Sequence, residues 1–301
     1  MDVAETDLTP IASAYVRARD CDPKSCFGDF VAVSEPVDRC LAEFLVRVPS
    51  DGIVAPGFDP GVVGLLSGKK QGRFLVFEGD PSCAPPEWER REVLGVRLAQ
   101  ETRRQAITRE VVESGSDRPV PDDAVADLVL ALITARYSQS NSVAYAKSGM
   151  VLGAGAGQQS RVDCTKLAGA KVDVWWLRRH HHVRSLAFKA DVRRQDRINW
   201  RVRHIEGDMS PIELGRFVDA LTDRPIVLSA DDRASWLSRL DDVVFASDGY
   251  VPFRDNVDQA AKHGVRYIAH PGGSVRTPEV EHAAAEHDIG IVSTGVRLVH
   301  H

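Results

Sequence analysis

Cysteine is sparse and unpatterned in this 301-residue chain: Cys21, Cys26, Cys40, Cys83 and Cys164 form no C-x-x-C pair. Their odd number gives no disulfide framework and their spacing no zinc knuckle, so a reducing compartment is expected. No run approaches the about 20 apolar residues of a membrane span. The opening MDVAETDLTP has neither a cationic nor an apolar leader region, and cytoplasmic residence is expected. Positive charge is not in excess, with 38 Lys+Arg against 43 Asp+Glu, a net −5 and no basic tail. General nucleic-acid binding, which rests on neutralising phosphates, is therefore not expected. There is also no H-E-x-x-H, no G-x-S-x-G elbow and no assignable Ser/His/Asp order, so neither zinc hydrolysis nor acyl-enzyme chemistry is indicated. A small-molecule partner fits better.

What is present is an α/β pattern. With 43% hydrophobic residues and about 150 residues per domain as a prior, two lobes or one large α/β unit are expected. Residues 10–19 read as helix, and 27–33, 53–56 and 73–78 as strands. The stretch 88–109 reads as charged and mostly helical. The breaker cluster SGSDRPVP at 114–121 sets the expected boundary, giving lobes at 1–113 and 114–301.

Beyond it, 122–137 is an amphipathic helix with Asp122 or Asp123 as cap, followed by strands at 142–146 and 150–154 around the Lys147-Ser148-Gly149 turn, a hairpin. Near the end, 243–246, 265–269 and 289–293 are strand-length apolar runs. Helical patterns at 253–263 and 279–286 separate them, the second opened by Thr277-Pro278. This is a parallel βαβαβ unit, whose ligands should sit beyond the carboxyl ends of its strands. Asp248, Tyr250, Pro252, Phe253, the PGGS loop after His270, and Arg297 are nominated by that geometry.

Gly153, Gly155 and Gly157 in GAGAGQQSR leave two readings open: close approach of backbone to a ligand at the next helix N-terminus, or close packing of the strand on its neighbour. Arg161 beside that helix start could fork onto a carboxylate or phosphate. Asn141, within Ser138, Ser140, Asn141 and Ser142, can donate and accept at once, which suits a heterocycle or carboxamide edge; capping is the other reading. In WWLRRHHH, residues 175–182, three consecutive histidines point in different directions on any regular element, so they are not expected to meet one ion.

The segments SQSNSVAYAKSGMVLGAGAGQQSR, KLAGAKVDVWWLR, SDGYVPFRDNVDQAAKHGVRYIAHPGGS and the terminal VRLVHH resemble the transformylase domain of the bifunctional AICAR transformylase/IMP cyclohydrolase family, nearer its animal form. LTPIASAYVRAR, SCFGDFVAVSEPVD and SDGIVAPGFDPGVVGLLSGKK resemble an earlier part of the same domain. The resemblance runs from about Leu8 to His301. It implies two cytidine-deaminase-like α/β/α lobes without zinc, the first truncated, with sites at a homodimer interface. The implied activity is formyl transfer from 10-formyltetrahydrofolate to the amine of AICAR, 5-aminoimidazole-4-carboxamide ribonucleotide.

Position by position, the resemblance implies substrate contacts from Phe27, Gly28, Asp51, Asn141, Arg161, Tyr250 and Arg297, and folate contacts near Val162, Asn199, Pro252, Phe253 and Asp255. It also implies a potassium ion at Ser138, Ser140, Ser142, Asp248, Leu298 and His300. The family's cyclohydrolase domain, its phosphate-gripping Arg-Tyr-Gly segment and its proton-transferring Lys-His pair lie upstream of the matching start. The AICAR amine is a weak nucleophile, and a positioned base is worth about 10²–10⁴-fold. Three expectations follow: a formyltransferase for AICAR or a related acceptor, inside or outside the purine pathway; a half-site subunit whose partner chain supplies the Lys-His pair; or a non-catalytic folate- or nucleotide-binding homologue. Asn141, Lys147 and His270 are the catalytic candidates in this chain, with the histidines at 180–182 as further candidate bases.

Overall fold

The computed structural model describes residues 8–102 and 105–299 and divides into two α/β units. One holds residues 8–15, 27–102 and 105–107, the other 16–26 and 108–299. The division thus falls at 107 rather than 113, and 16–26 groups with the carboxyl-terminal part. Polar pairing at long sequence separation is the reason: buried Asp20 meets Arg178 at 2.6 Å, and Gln195 Nε2 donates to the Pro23 carbonyl at 2.7 Å.

In the smaller unit, β1 (Phe30–Ala32), β2 (Gly52–Ala55) and β3 (Leu75–Glu78) form a parallel sheet in that order. The crossovers carry α2 (Arg39–Arg47) and α3 (Val62–Ser67). Asp38 opens α2 by accepting from the Leu41 amide at 2.8 Å, and the helix buries Leu41, Ala42, Phe44 and Leu45. The helix α1 (Pro10–Asp20) precedes them, and its Tyr15 meets Phe44 edge-on with ring centroids 6.0 Å apart.

The expected helix at 88–109 is instead a hairpin of β4 (Trp88–Val93) and β5 (Val96–Glu101), followed by the short α4 (Arg109–Ser114). Leu94 and Gly95 turn the chain with φ of 49° and 78°. Two successive positive φ values match the right-handed twist of flanking strands. A leucine is uncommon in that conformation, so composition concealed the turn.

The larger unit has a five-stranded sheet of β6 (Val143–Lys147), β7 (Met150–Gly155), β8 (Val243–Ser247), β9 (Val265–His270) and β10 (Gly290–Ser293), in the order β10-β9-β8-β6-β7. The expected βαβαβ unit is present: β8, β9 and β10 run parallel through α11 (Arg254–Ala261) and α12 (Thr277–Glu286), while β6 is antiparallel to β8 and β7. Alternation sends Val143 and Tyr145 into a core with α6 (Arg161–Leu177), α11 and α12. On α5 (Asp122–Arg136) the buried Asp127 accepts from the amides of Ser148 and Gly149, at 2.7 and 2.6 Å, and so holds the β6–β7 turn. Asp122 and Asp123 lie in the first turn of α5 rather than at its cap, which is Pro121.

The antiparallel insertion has one result for function. The amino end of β6 lies at the same sheet edge as the carboxyl ends of β7, β8, β9 and β10. Between α6 and β8 the chain forms α7 (His181–Arg184), α8 (Arg194–Glu206), α9 (Pro211–Asp219) and α10 (Ala230–Leu237). Leu177, Val183, Leu186, Ile205, Phe217 and Leu221 give this helical excursion its own small core. Among the described residues no helix is long and apolar enough to cross a membrane.

Candidate functional site

At that sheet edge, in the larger unit, lies a cleft of about 420 Å³. Its walls include Asn141 from the approach to β6, Gln159, Ser160, Arg161 and Val162 from the start of α6, and Gly249, Tyr250, Pro252, Phe253, Asp255 and Asn256 after β8. Arg297 and Val299, after β10, complete them.

Arg161 is the centre of the polar network. Its Nη1 donates to Ser247 Oγ at 2.8 Å and to the Asp248 carboxylate, and its Nη2 donates to Asn141 Oδ1 at 2.7 Å. Asp248 is fully buried and Arg161 nearly so, which makes this a low-dielectric, charge-assisted contact. The Nε–H and the second Nη2 hydrogen have no bond among the described residues. A side chain at Gly249 would place Cβ 2.6 Å from Arg161 Nη2. Glycine there is what lets the guanidinium lie across the strand end.

Asn141 is more committed than its sequence context implied. Both hydrogens of Nδ2 go to backbone, to the carbonyls of Gln158 and Gln159 at 3.0 Å each. With Arg161 on Oδ1, one acceptor lone pair is left for a ligand, not a donor–acceptor edge. Ser160 caps α6 by accepting from the Asp163 amide at 3.1 Å. The start of α6, with its free first-turn amides and the positive end of the helix dipole, lines the cleft beside Arg161 and is suited to an anion. Tyr250 and Phe253 are 48% and 45% exposed at the cleft, which leaves ring surface for stacking. The Arg276 guanidinium sits 4.9 Å from the Phe253 ring centroid.

The two readings of the alternating glycines separate here. Cβ atoms at Gly153 and Gly155 would lie 2.4 Å from the Ala168 carbonyl oxygen and 2.5 Å from that of Cys164. These glycines bring β7 against α6, which is the packing reading.

Asn141, Arg161, Val162, Tyr250, Pro252, Phe253, Asp255 and Arg297 are thus brought to one cleft. Phe27, Gly28 and Asp51 are carried by the smaller unit, before β1 and β2, where Asp51 pairs with Lys70. Asn199 lies on α8, away from the cleft walls, and accepts from the Ser25 amide at 2.9 Å and from Gln195 at 3.1 Å.

Lys147 is a correction. Six residues of extended chain, about 20 Å, separate it from Asn141, and its Nζ donates to the Asp241 carbonyl at 2.8 Å. His270 is a second correction. It is fully buried at the end of β9, and Nδ1 accepts from the Gly272 amide at 3.0 Å. Burial and then the Arg161 charge push its imidazole down to about 4. The neutral ring therefore carries its proton on Nε2, which is buried with no hydrogen-bond partner. It is a donor beneath the site rather than a base in it.

Around Asp248, Ser140 Oγ donates to the carboxylate and the Leu298 amide to the Asp248 carbonyl at 2.8 Å. Ser138 and Ser142 donate to the carbonyls of Thr134 and Ala135, at 2.8 Å each. His300 lies outside the described residues.

The histidine run is a third correction. His180, His181 and His182 each offer a nitrogen within 4.8 Å of the others. The expectation of splayed rings assumed one regular element. His180 is instead the extended cap of α7, with φ −63° and ψ 139°, and the helix starts only at His181.

Sequence reasoning missed Gln159, Ser160, Gly249, Asn256 and Val299 among the walls. Ser160 was accessible as a cap three residues before Asp163. Buried Asn256, bonded to Asp255 Oδ1 at 2.7 Å and accepting from Thr165 at 3.2 Å, has no such signal.

Comparison with known proteins agrees with the resemblance. The AICARFT/IMPCHase bienzyme family matches residues 3–171. The bifunctional purine biosynthesis protein PurH of Roseobacter denitrificans is 29% identical over 291 residues, 97% of this chain and 45% of that protein. Proteins of the same name from two Cereibacter sphaeroides strains are 30% identical over the same shares. The chain spans about half the length of the curated relatives it matches. On these matches, this chain belongs to the AICARFT/IMPCHase bienzyme family.

Proposed function

We propose that the cleft serves a 10-formyltetrahydrofolate-dependent formyltransferase acting on the amine of AICAR or a related acceptor. The observation that carries this reading is Arg161. A buried guanidinium is fixed by Asp248, Ser247 and Asn141, keeps two N–H groups unspent, and stands at a helix N-terminus opposite two exposed aromatic rings. Family membership supports it.

The donor supplies a formyl group on N10. The acceptor amine nitrogen bonds to that carbon, the C–N10 bond breaks, and the amine proton ends on N10. The chain's own part is positional. Arg161 and the remaining Asn141 lone pair hold the acceptor's carboxamide, and the α6 amides with Arg297 take an anionic group. Tyr250 and Phe253 stack on planar rings and exclude water from the amine. A fixed donor near the developing oxyanion is worth about 10²–10³ in rate.

In this reading the two units are the family's cytidine-deaminase-like lobes, and a homodimer forms the complete site. The oxygen-only set of Ser138, Ser140, Ser142, Asp248 and Leu298 fits a potassium ion, because Ser138 and Ser142 donate their protons elsewhere and keep their lone pairs. Such an ion would fix the β8 turn that presents Tyr250. One observation favours a partner for proton transfer: among the described residues, the cleft walls hold no lysine or histidine. A second polypeptide carrying the Lys-His pair is the corresponding second reading.

The test is tetrahydrofolate formation from 10-formyltetrahydrofolate with AICAR and with other aromatic amines, alone and with a separately expressed chain bearing the Lys-His segment. Turnover is expected in one of these settings and is lost in Arg161→Lys, which keeps the charge but not the fork. Absence of turnover in every setting would overturn the reading.

A further inference from the structure

The rings of His180, His181 and His182 gather at the end of α6 remote from the cleft, 17 helical residues or about 25 Å away. Ring centroids are 4.2 Å apart for His180 and His181, 4.1 Å for His181 and His182, and 4.9 Å for His180 and His182. Apolar burial does not explain the grouping, because His181 is exposed while His180 is buried. Nor does internal hydrogen bonding. Nδ1 of His182 is buried with no partner, and the contact inside the group is a long one, from the His182 amide to His180 Nδ1 at 3.2 Å.

We propose that these three histidines form a binding site for a first-row transition-metal dication, held by one imidazole nitrogen from each. Imidazole sets suit zinc, copper, nickel and iron. In a tetrahedral zinc site with Zn–N of about 2.0–2.1 Å, neighbouring ligand nitrogens are about 3.4 Å apart. The three nitrogens lie within 4.8 Å of one another and therefore need to close by at most about 1.4 Å, with the exposed His181 ring and the half-buried His182 ring moving towards buried His180. The unpartnered His182 nitrogen gains a partner, and only the long amide contact is displaced at His180.

Charge around the cluster is mixed. Asp232 on α10 interacts with both His180 and His182, while Arg239 acts on His180 with the opposite sign. Asp232 Oδ2 already accepts from Ser229 Oγ at 2.6 Å, so its part is that of an outer anion balancing the cation and orienting the rings. Three protein nitrogens leave a fourth position to water, and the Trp236 ring, 4.9 Å from the His180 ring, serves as a built-in optical probe of the cluster.

Calorimetric titration of the full chain with Zn²⁺ alone tests the proposal. One equivalent is expected to bind, at least about tenfold more weakly in His181→Gln and in His182→Gln. Co²⁺ should give visible d–d absorption of a low-coordinate imidazole site, and Cu²⁺ should quench indole emission, both reduced in the same variants. His181 is exposed, so His181→Gln keeps the fold even where a His180 variant does not. Unchanged Zn²⁺ stoichiometry and affinity in His181→Gln would overturn the proposal, as would no zinc binding by the unmodified chain.

Discussion

At its amino end α6 starts from a serine cap and a buried guanidinium–carboxylate pair; towards its carboxyl end Trp175 stacks on Trp176, Trp176 packs on Trp236, and the histidines follow the helix. The first end depends on charges that have few substitutes in a low dielectric. The second is built from rings that share modest interactions: Trp176 Nε1 donates to the Trp236 carbonyl at 2.8 Å, and Trp236 Nε1 returns the bond at 3.0 Å. The amino end should fail steeply when one member is removed, and the carboxyl end should yield by degrees.

The sharpest way to break the comparison is Arg161→Met, which strands the Asp248 charge. Calorimetric melting should show a loss of about 3–5 kcal/mol. Most of it should return in the double variant with Asp248→Asn. A single variant as stable as the parent would place the amino end in the same class as the carboxyl end.

Next comes acid. His270 is held at about 4 when folded against about 6.5 when unfolded. The unfolded chain takes up the proton first, so this contribution is complete above pH 6.5 and is lost as pH falls towards 4. The loss approaches about 3 kcal/mol. Urea melts across that window should slope less steeply in His270→Asn. His204 and His180, lowered mainly by burial, leave a residual slope of the same sign.

Gly155→Ala is a smaller lever. The new methyl meets the Cys164 carbonyl, and the strand must move off the helix at about 1–3 kcal/mol, read as a lower melting temperature. Trp236→Phe keeps most of the ring contact and loses one reciprocal bond, about 1 kcal/mol, with little effect on the cleft.

The same contrast explains how much was legible in the sequence. The βαβαβ unit and the hairpin at 143–155 showed plainly, because buried strands write apolar runs and their turns carry glycine. The edge of the sheet, and with it Asp248, Tyr250, Phe253 and Arg297, followed from topology alone. The glycines at 153 and 155 were visible, but which partner they admitted was not, since helix backbone and ligand ask for the same missing side chain. Lys147 misled because proximity along a strand is distance in space. His270 misled because its Nδ1 is spent on a loop amide. The 88–101 hairpin was hidden by a leucine at positive φ, and the histidine cluster by a change of backbone conformation between two adjacent residues. The helices α8, α9 and α10 were not assigned from sequence; short helices around a small core carry few apolar positions each.

The mutual indole bonds join positions 60 residues apart, at the neck of the helical excursion between α6 and β8. A staple there means the excursion can lengthen, shorten or change its surface while the strands on either side keep their pairing. Novelty can accumulate on that outgrowth without the sheet edge registering it.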